Sequence, residues 1–198
     1  MELAFLSAVE QARLVRTHEV SSTELVQLYL KRIARVDPEL NAYVTVRGED
    51  ALAEAAAIDS GVGDAPFRGV PIAVKDLTPT AWIRTTFSSH AYADFVPEYD
   101  TAVVRRIREA GFVIVGKTNT PEFGTTAFTE SDLNGATKNP WNLDPCVLLR
   151  TLRTEAIARA GIECAVHLAR GPLYGRAAFE DGRGRGKPSR RPRRLRAR

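Results

Sequence analysis

Lys75 ends the apolar run Val70-Pro-Ile-Ala-Val74 and is followed at once by Asp76. An amine at the end of so apolar a strand is partly withdrawn from water. Burial penalises the ammonium form, lowers its pKa and can make the amine a usable base. The same spacing fits a lysine that simply reaches solvent beside Asp76, and spacing alone favours that plainer reading. A second lysine lies in Gly111-Phe-Val-Ile-Val-Gly116-Lys117-Thr118, which matches the phosphate-loop pattern G-x-x-x-x-G-K-[ST] letter for letter. A phosphate loop, however, follows a strand and turns the N–H groups of four flexible residues toward phosphates. Here a helix precedes Gly111, and the four residues are a β-run whose N–H groups belong to a sheet. Cys164 and His167, with Glu163 beside them, form one Cys-x-x-His corner without a matching second pair. A small apolar cysteine on an Ala-rich helix is the commoner case, so neither metal nor cofactor is expected. His18 and His90 stand alone and receive no role.

The elements that must hold these groups read as α/β. Leu6 to Thr17 carries a helical apolar pattern. Ser21 and Glu24 form an S-x-x-E capping box, and Val26, Tyr29, Leu30 and Ile33 recur at one-face helical spacing behind it. That helix is expected to run to about Val36 and stop at Asp37-Pro38. Ala42 to Val46 is a short strand candidate, and Asp50 should cap an Ala-rich helix over 51–59 closed by Gly61. Val70–Val74 and Phe112–Val115 have the pattern of buried strands, with a helix from Thr101 to Ala110 between them and Gly111 at its end. Strand, helix and strand in that order form a crossover unit and imply a parallel pair.

Composition divides the chain. It has 198 residues, 44% apolar and 26% charged, enough for one sizeable domain. No stretch approaches the roughly 20 apolar residues of a membrane span, and no basic-then-apolar start suggests a secretory signal. Two cysteines cannot make a disulfide framework and suit a reducing cytoplasm. The net charge of +4 averages two unlike parts. Residues 1–145 hold 14 Lys and Arg against 20 Asp and Glu, or −6, whereas residues 146–198 hold 14 against 4, or +10. Nine of the last 18 residues are Lys or Arg among Gly and Pro. Such a stretch buries too little apolar surface to offset its ordering entropy, so 181–198 is expected to be a disordered tail.

Three sequence words are more specific than any pattern above. Gly69-Val-Pro-Ile-Ala-Val-Lys75-Asp76, Gly116-Lys-Thr-Asn-Thr-Pro-Glu-Phe-Gly124 and Asn134-Gly-Ala-Thr-Lys-Asn-Pro-Trp-Asn142 together resemble the opening third of the amidase signature family. The likeness runs from about residue 5 to about 144. It implies a mixed sheet flanked by helices and hydrolysis of a carboxamide C–N bond. Family substrates include aryl, fatty and peptide amides, and one branch serves in the tRNA-dependent amidotransferases as their amidase component. By motif match Lys75 takes the place of the family's catalytic lysine. In that role it accepts a proton from a serine held in a cis peptide, which in turn deprotonates the nucleophilic serine, while backbone N–H groups stabilise the oxyanion. The resemblance also sets Gly124, Thr125 and Thr126 beside the substrate cleft.

After Asp144 the likeness stops. The family continues into Gly/Ser-rich segments that supply both serines, but here Pro-Cys-Val-Leu-Leu-Arg follows, and Ser189 is the one serine between Pro145 and Arg198. Ser88 and Ser89 do not match the missing words. Motif loss and charge reversal coincide, as a frameshift, rearrangement or fusion would produce. The expected organisation is a partial amidase-like domain over 1–144, a non-family segment over 145–180 with one helix candidate at Thr154–Ala169, and the basic tail. Strands left without neighbours would make the product poorly stable and prone to aggregate. The chain is expected to be an amidase by descent that is inactive alone, with a small-molecule amide as its implied ligand and no membrane or nucleic-acid partner. The alternatives are completion by a second polypeptide bearing the serines, and sequence-independent nucleic-acid binding through the tail.

Overall fold

A computed structural model describes residues 3–140. The helix expected at Thr154–Ala169, Cys164 with His167 and the expected basic tail lie outside the described residues. Helix α1 (Ala8–Arg16) follows a 3₁₀ turn at Leu3–Phe5. The capping box forms as expected: the Ser21 N–H donates to Glu24 Oε2 at 2.8 Å, and the Glu24 N–H donates to Ser21 Oγ at 3.0 Å. It starts helix α2 (Ser22–Leu40), whose Val26, Tyr29 and Ile33 are buried with Leu25. Each such side chain contributes about 1.5–3 kcal/mol by leaving water.

α2 does not stop at Asp37-Pro38. It carries Pro38 within its last turn and ends at Asn41, which adopts left-handed φ 54°. A proline this close to the end forfeits only the bond to the Ala34 carbonyl, and Ala34 is exposed to water. Asp37 instead accepts the N–H groups of Ala42 and Tyr43, tying the helix end to strand β1 (Tyr43–Val46). The next helix, α3 (Gly48–Ser60), also begins earlier than expected. Arg47 is its N-cap without a side-chain cap bond, and Asp50 lies inside the first turn. The guanidinium of Arg47 reaches Glu54 and the Ile114 carbonyl, which fixes the helix start against the sheet.

Strand β2 (Pro71–Lys75), helix α4 (Ala102–Glu109) and strand β3 (Val113–Thr118) make the crossover. β3 lies in the middle of a three-stranded mixed sheet, parallel to β2 and antiparallel to β1. Gly116, Lys117 and Thr118 are buried strand residues, so the phosphate-loop pattern is indeed no loop. One face packs Ala73, Val113 and Val115 against α2 and α3. The other packs Val70, Ile72, Val74 and Ile114 with Val104 and Ile107 of α4. No helix among the described residues is long and apolar enough to cross a membrane.

Candidate active site

Register decides where the two lysines point. Ile72 pairs with Ile114, but Ala73 pairs with Gly116, so Val115 is an extra residue in β3. After this bulge Val74 opposes Lys117 and Lys75 opposes Thr118. An unbroken register would pair Lys75 with Lys117 and set two ammonium groups side by side, which is destabilising. The bulge puts Lys117 on the α4 face with Val74. Alternation along β2 then puts Lys75 on the opposite face, with Ala73. Gly116 makes the bulge possible, because a Cβ there would lie 2.3 Å from the Thr45 carbonyl oxygen of β1.

Lys75 is partly buried at the carboxyl end of β2. Its neighbour Asp76 is wholly buried and turns to the other face. There Asp76 Oδ2 accepts both the N–H (3.0 Å) and the hydroxyl of Thr86, while Oδ1 lies 3.9 Å from Lys117 Nζ and has no hydrogen-bond partner. Burial pushes the Asp76 carboxyl above the usual carboxylate range, against the pull of Thr86 and then of Lys117. Asp76 is therefore not the solvent-facing mate of Lys75 that the plainer reading supposes.

Burial lowers the pKa of Lys117. It is fully buried and lowered to about 8, because burial outweighs the attraction of Asp76. Its ammonium donates to the Thr78 carbonyl at 2.6 Å, Thr85 Oγ1 at 2.8 Å and Thr80 Oγ1 at 3.2 Å. Those three bonds use all its donors. Both threonine hydroxyls in turn donate to the carbonyls of Thr78 and Ile83. A lysine so enclosed cannot meet a substrate. It pins the strap of residues 76–89 across the sheet end. The phosphate-loop likeness hides this role in the sequence; the available signal is a lysine continuing the β-run of Phe112–Val115.

The strap carries backbone strain next to Lys75. Phe87 and Ser88 are successive residues at positive φ, 52° and 54°, each costing about 1–3 kcal/mol. Three bonds hold them: Phe87 N–H to the Asp76 carbonyl, Ser88 N–H to Thr86 Oγ1, and Phe123 N–H to the Phe87 carbonyl. The Ser88 hydroxyl is buried between Asn119 Oδ1 at 3.3 Å and Asn134 Nδ2 at 2.9 Å. Asn119 belongs to the second sequence word and Asn134 to the third, so Ser88 joins those words to the end of β2.

The Gly124–Thr126 segment comes to the same end of the sheet. Gly124 takes φ +71°, and a Cβ on it would stand 2.7 Å from Cδ1 of Leu77, two residues beyond Lys75. Thr125 and Thr126 are exposed.

The family model described as Amidase matches residues 24–147. The chain belongs to the amidase family. Its likeness to a glutamyl-tRNA(Gln) amidotransferase subunit of Geobacter metallireducens is 46% identity over 147 residues, covering 73% of this chain and 30% of the relative. Among solved structures, the 6-aminohexanoate cyclic dimer hydrolase superposes with TM-score 0.65 at 38% identity, covering 71% of this chain and 29% of that one. The peptide amidase of Stenotrophomonas maltophilia gives TM-score 0.64 at 34% identity, covering 73% and 32%. The chain thus spans about 30% of the length of the relatives it matches. The amidase match ends close to Asp144, where the sequence departs from the family words.

Proposed function

We propose that this chain carries the lysine-bearing portion of an amidase-type site and, alone, does not hydrolyse amides. Lys75 takes the general-base position, and Gly124, Thr125 and Thr126 border the cleft for a small carboxamide. The carrying observation is Lys75, partly buried at the end of β2, in a chain without Gly/Ser-rich segments after Asp144. In the family chemistry Lys75 Nζ accepts a proton from the bridging serine, which takes one from the nucleophilic serine. The resulting alkoxide adds to the carbonyl carbon, the C–N bond breaks as the proton returns to the leaving amine, and water then releases the acid. Each hydroxyl is an obligatory carrier, so a chain lacking both stops before the first bond forms. With two cysteines, a reducing cytoplasm is the compartment proposed.

A second reading has its own support: a chain spanning about 30% of its relatives' length could be completed by a separate polypeptide bearing the serines. One assay covers both. Purified chain should give no turnover of an aryl amide above the rate of a Lys75→Ala variant. Activity abolished by that substitution overturns the inactive reading. Activity that appears only after adding a fragment of a relative carrying both serine segments establishes the second.

A further inference from the structure

Phe87, Tyr92, Phe95 and Phe123 form a ring cluster, with Tyr92 edge-on to Phe87 at 5.1 Å, to Phe95 at 5.8 Å and to Phe123 at 6.0 Å. The cluster opens to solvent, Tyr92 being 40% and Phe123 52% exposed. The segments that build it hold no Lys or Arg from Thr85 to Val104, nor from Thr118 to Thr137. Asp94, Glu98 and Glu122 are exposed on them. None of these three carboxylates has an ion-pair or hydrogen-bond partner among the described residues. Arg84, at the root of the strap, turns inward and donates to the Ala93 carbonyl. These segments are therefore aromatic and acidic, and the three exposed carboxylates on them have no cation paired with them among the described residues. Guanidinium groups suit such a face, since they stack on rings and pair with carboxylates at once.

The same chain holds that chemistry in excess, with +10 over residues 146–198 against −6 over 1–145. We propose that the Arg-rich segment 183–198 docks on this face, with guanidinium groups over Tyr92 and Phe123 and against Asp94, Glu98 and Glu122. Reach suffices. Residues 141–180, even as a flexible chain, would span on the order of 35 Å, against a radius of gyration of about 14 Å for a domain of this size. Tethering at that length holds the segment near millimolar effective concentration, so several weak contacts are enough.

Lys187 is the one lysine after Lys138, so zero-length carbodiimide coupling of the full chain reads the segment's position. In monomeric protein at about 0.01 M salt, where screening acts over about 30 Å, Lys187 should couple to Asp94, Glu98 or Glu122. That yield should exceed coupling to Glu49, Asp50 and Glu109 at least about fivefold, and collapse at about 1 M salt, where the range is about 3 Å. A Tyr92→Ser, Phe123→Ser variant should lose the preference. Equal coupling to the distant carboxylates, coupling indifferent to salt, coupling only between two chains, or no Lys187 product each overturns the proposal.

Discussion

Raising the pH from 8 to 10.5 should stabilise the folded domain through Lys117, against the usual trend of alkaline denaturation. The amine falls from its ordinary 10.5 to about 8 in the folded chain because it is buried. Below about pH 8 both folded and unfolded chains carry the proton, and the folded chain bears the cost of a buried ammonium. Between the two values the folded chain has lost the proton while the unfolded chain keeps it. The unfolded state then binds more protons, and stability rises with pH. At 1.36 kcal/mol per pH unit the full gain is about 3 kcal/mol. Tyrosines and the two cysteines titrate in the same window, so the measurement is a comparison. Urea unfolding followed by far-ultraviolet circular dichroism at half-unit pH steps gives the slope for the natural chain and for Lys117→Met. The apolar substitution leaves Asp76 without its cation and lowers stability at every pH, so slopes rather than absolute values are compared. The natural chain should gain on the variant steadily from about pH 8 upward. Equal slopes, or a natural chain losing ground across the window, would refute the assignment of the buried proton to Lys117.

Three further outcomes follow from the same contacts. Asp76→Asn removes the opposite charge that helps hold the Lys117 proton, so the rise in stability should begin below pH 8 in the same urea series. Gly116→Ala forces a Cβ into the Thr45 carbonyl. It should cost about 3 kcal/mol or more as overpacking, with amide exchange accelerating first in β1. Ser21→Ala breaks the capping box and should cost about 1 kcal/mol by thermal unfolding, while leaving Lys75→Ala comparisons on amides unchanged.

Much of the molecule is legible in the chain because it depends on near neighbours. Ser21 and Glu24 cap a helix through bonds three residues apart. Val70–Val74, the Thr101–Ala110 helix and Phe112–Val115 declare a crossover by pattern alone. The three family words carry the amidase likeness, and that likeness ends near Asp144, with no coordinates needed. Helix ends were less legible. Pro38 was expected to stop α2, yet near a terminus it forfeits a single bond to a carbonyl that water can satisfy. Asp50 looked like a cap, but Arg47, bonded to the Ile114 carbonyl from the sheet, sets the start of α3.

Only tertiary structure decided which lysine is buried. Lys75 and Lys117 look alike as strand-end residues, 42 positions apart. Their faces depend on one unpaired residue, Val115, in the register between β2 and β3. That register is set by the close approach of Gly116 to β1 and by the packing of two separate apolar faces. No local pattern encodes such a choice, because shifting a strand by one residue changes no local preference but turns every side chain to the other face.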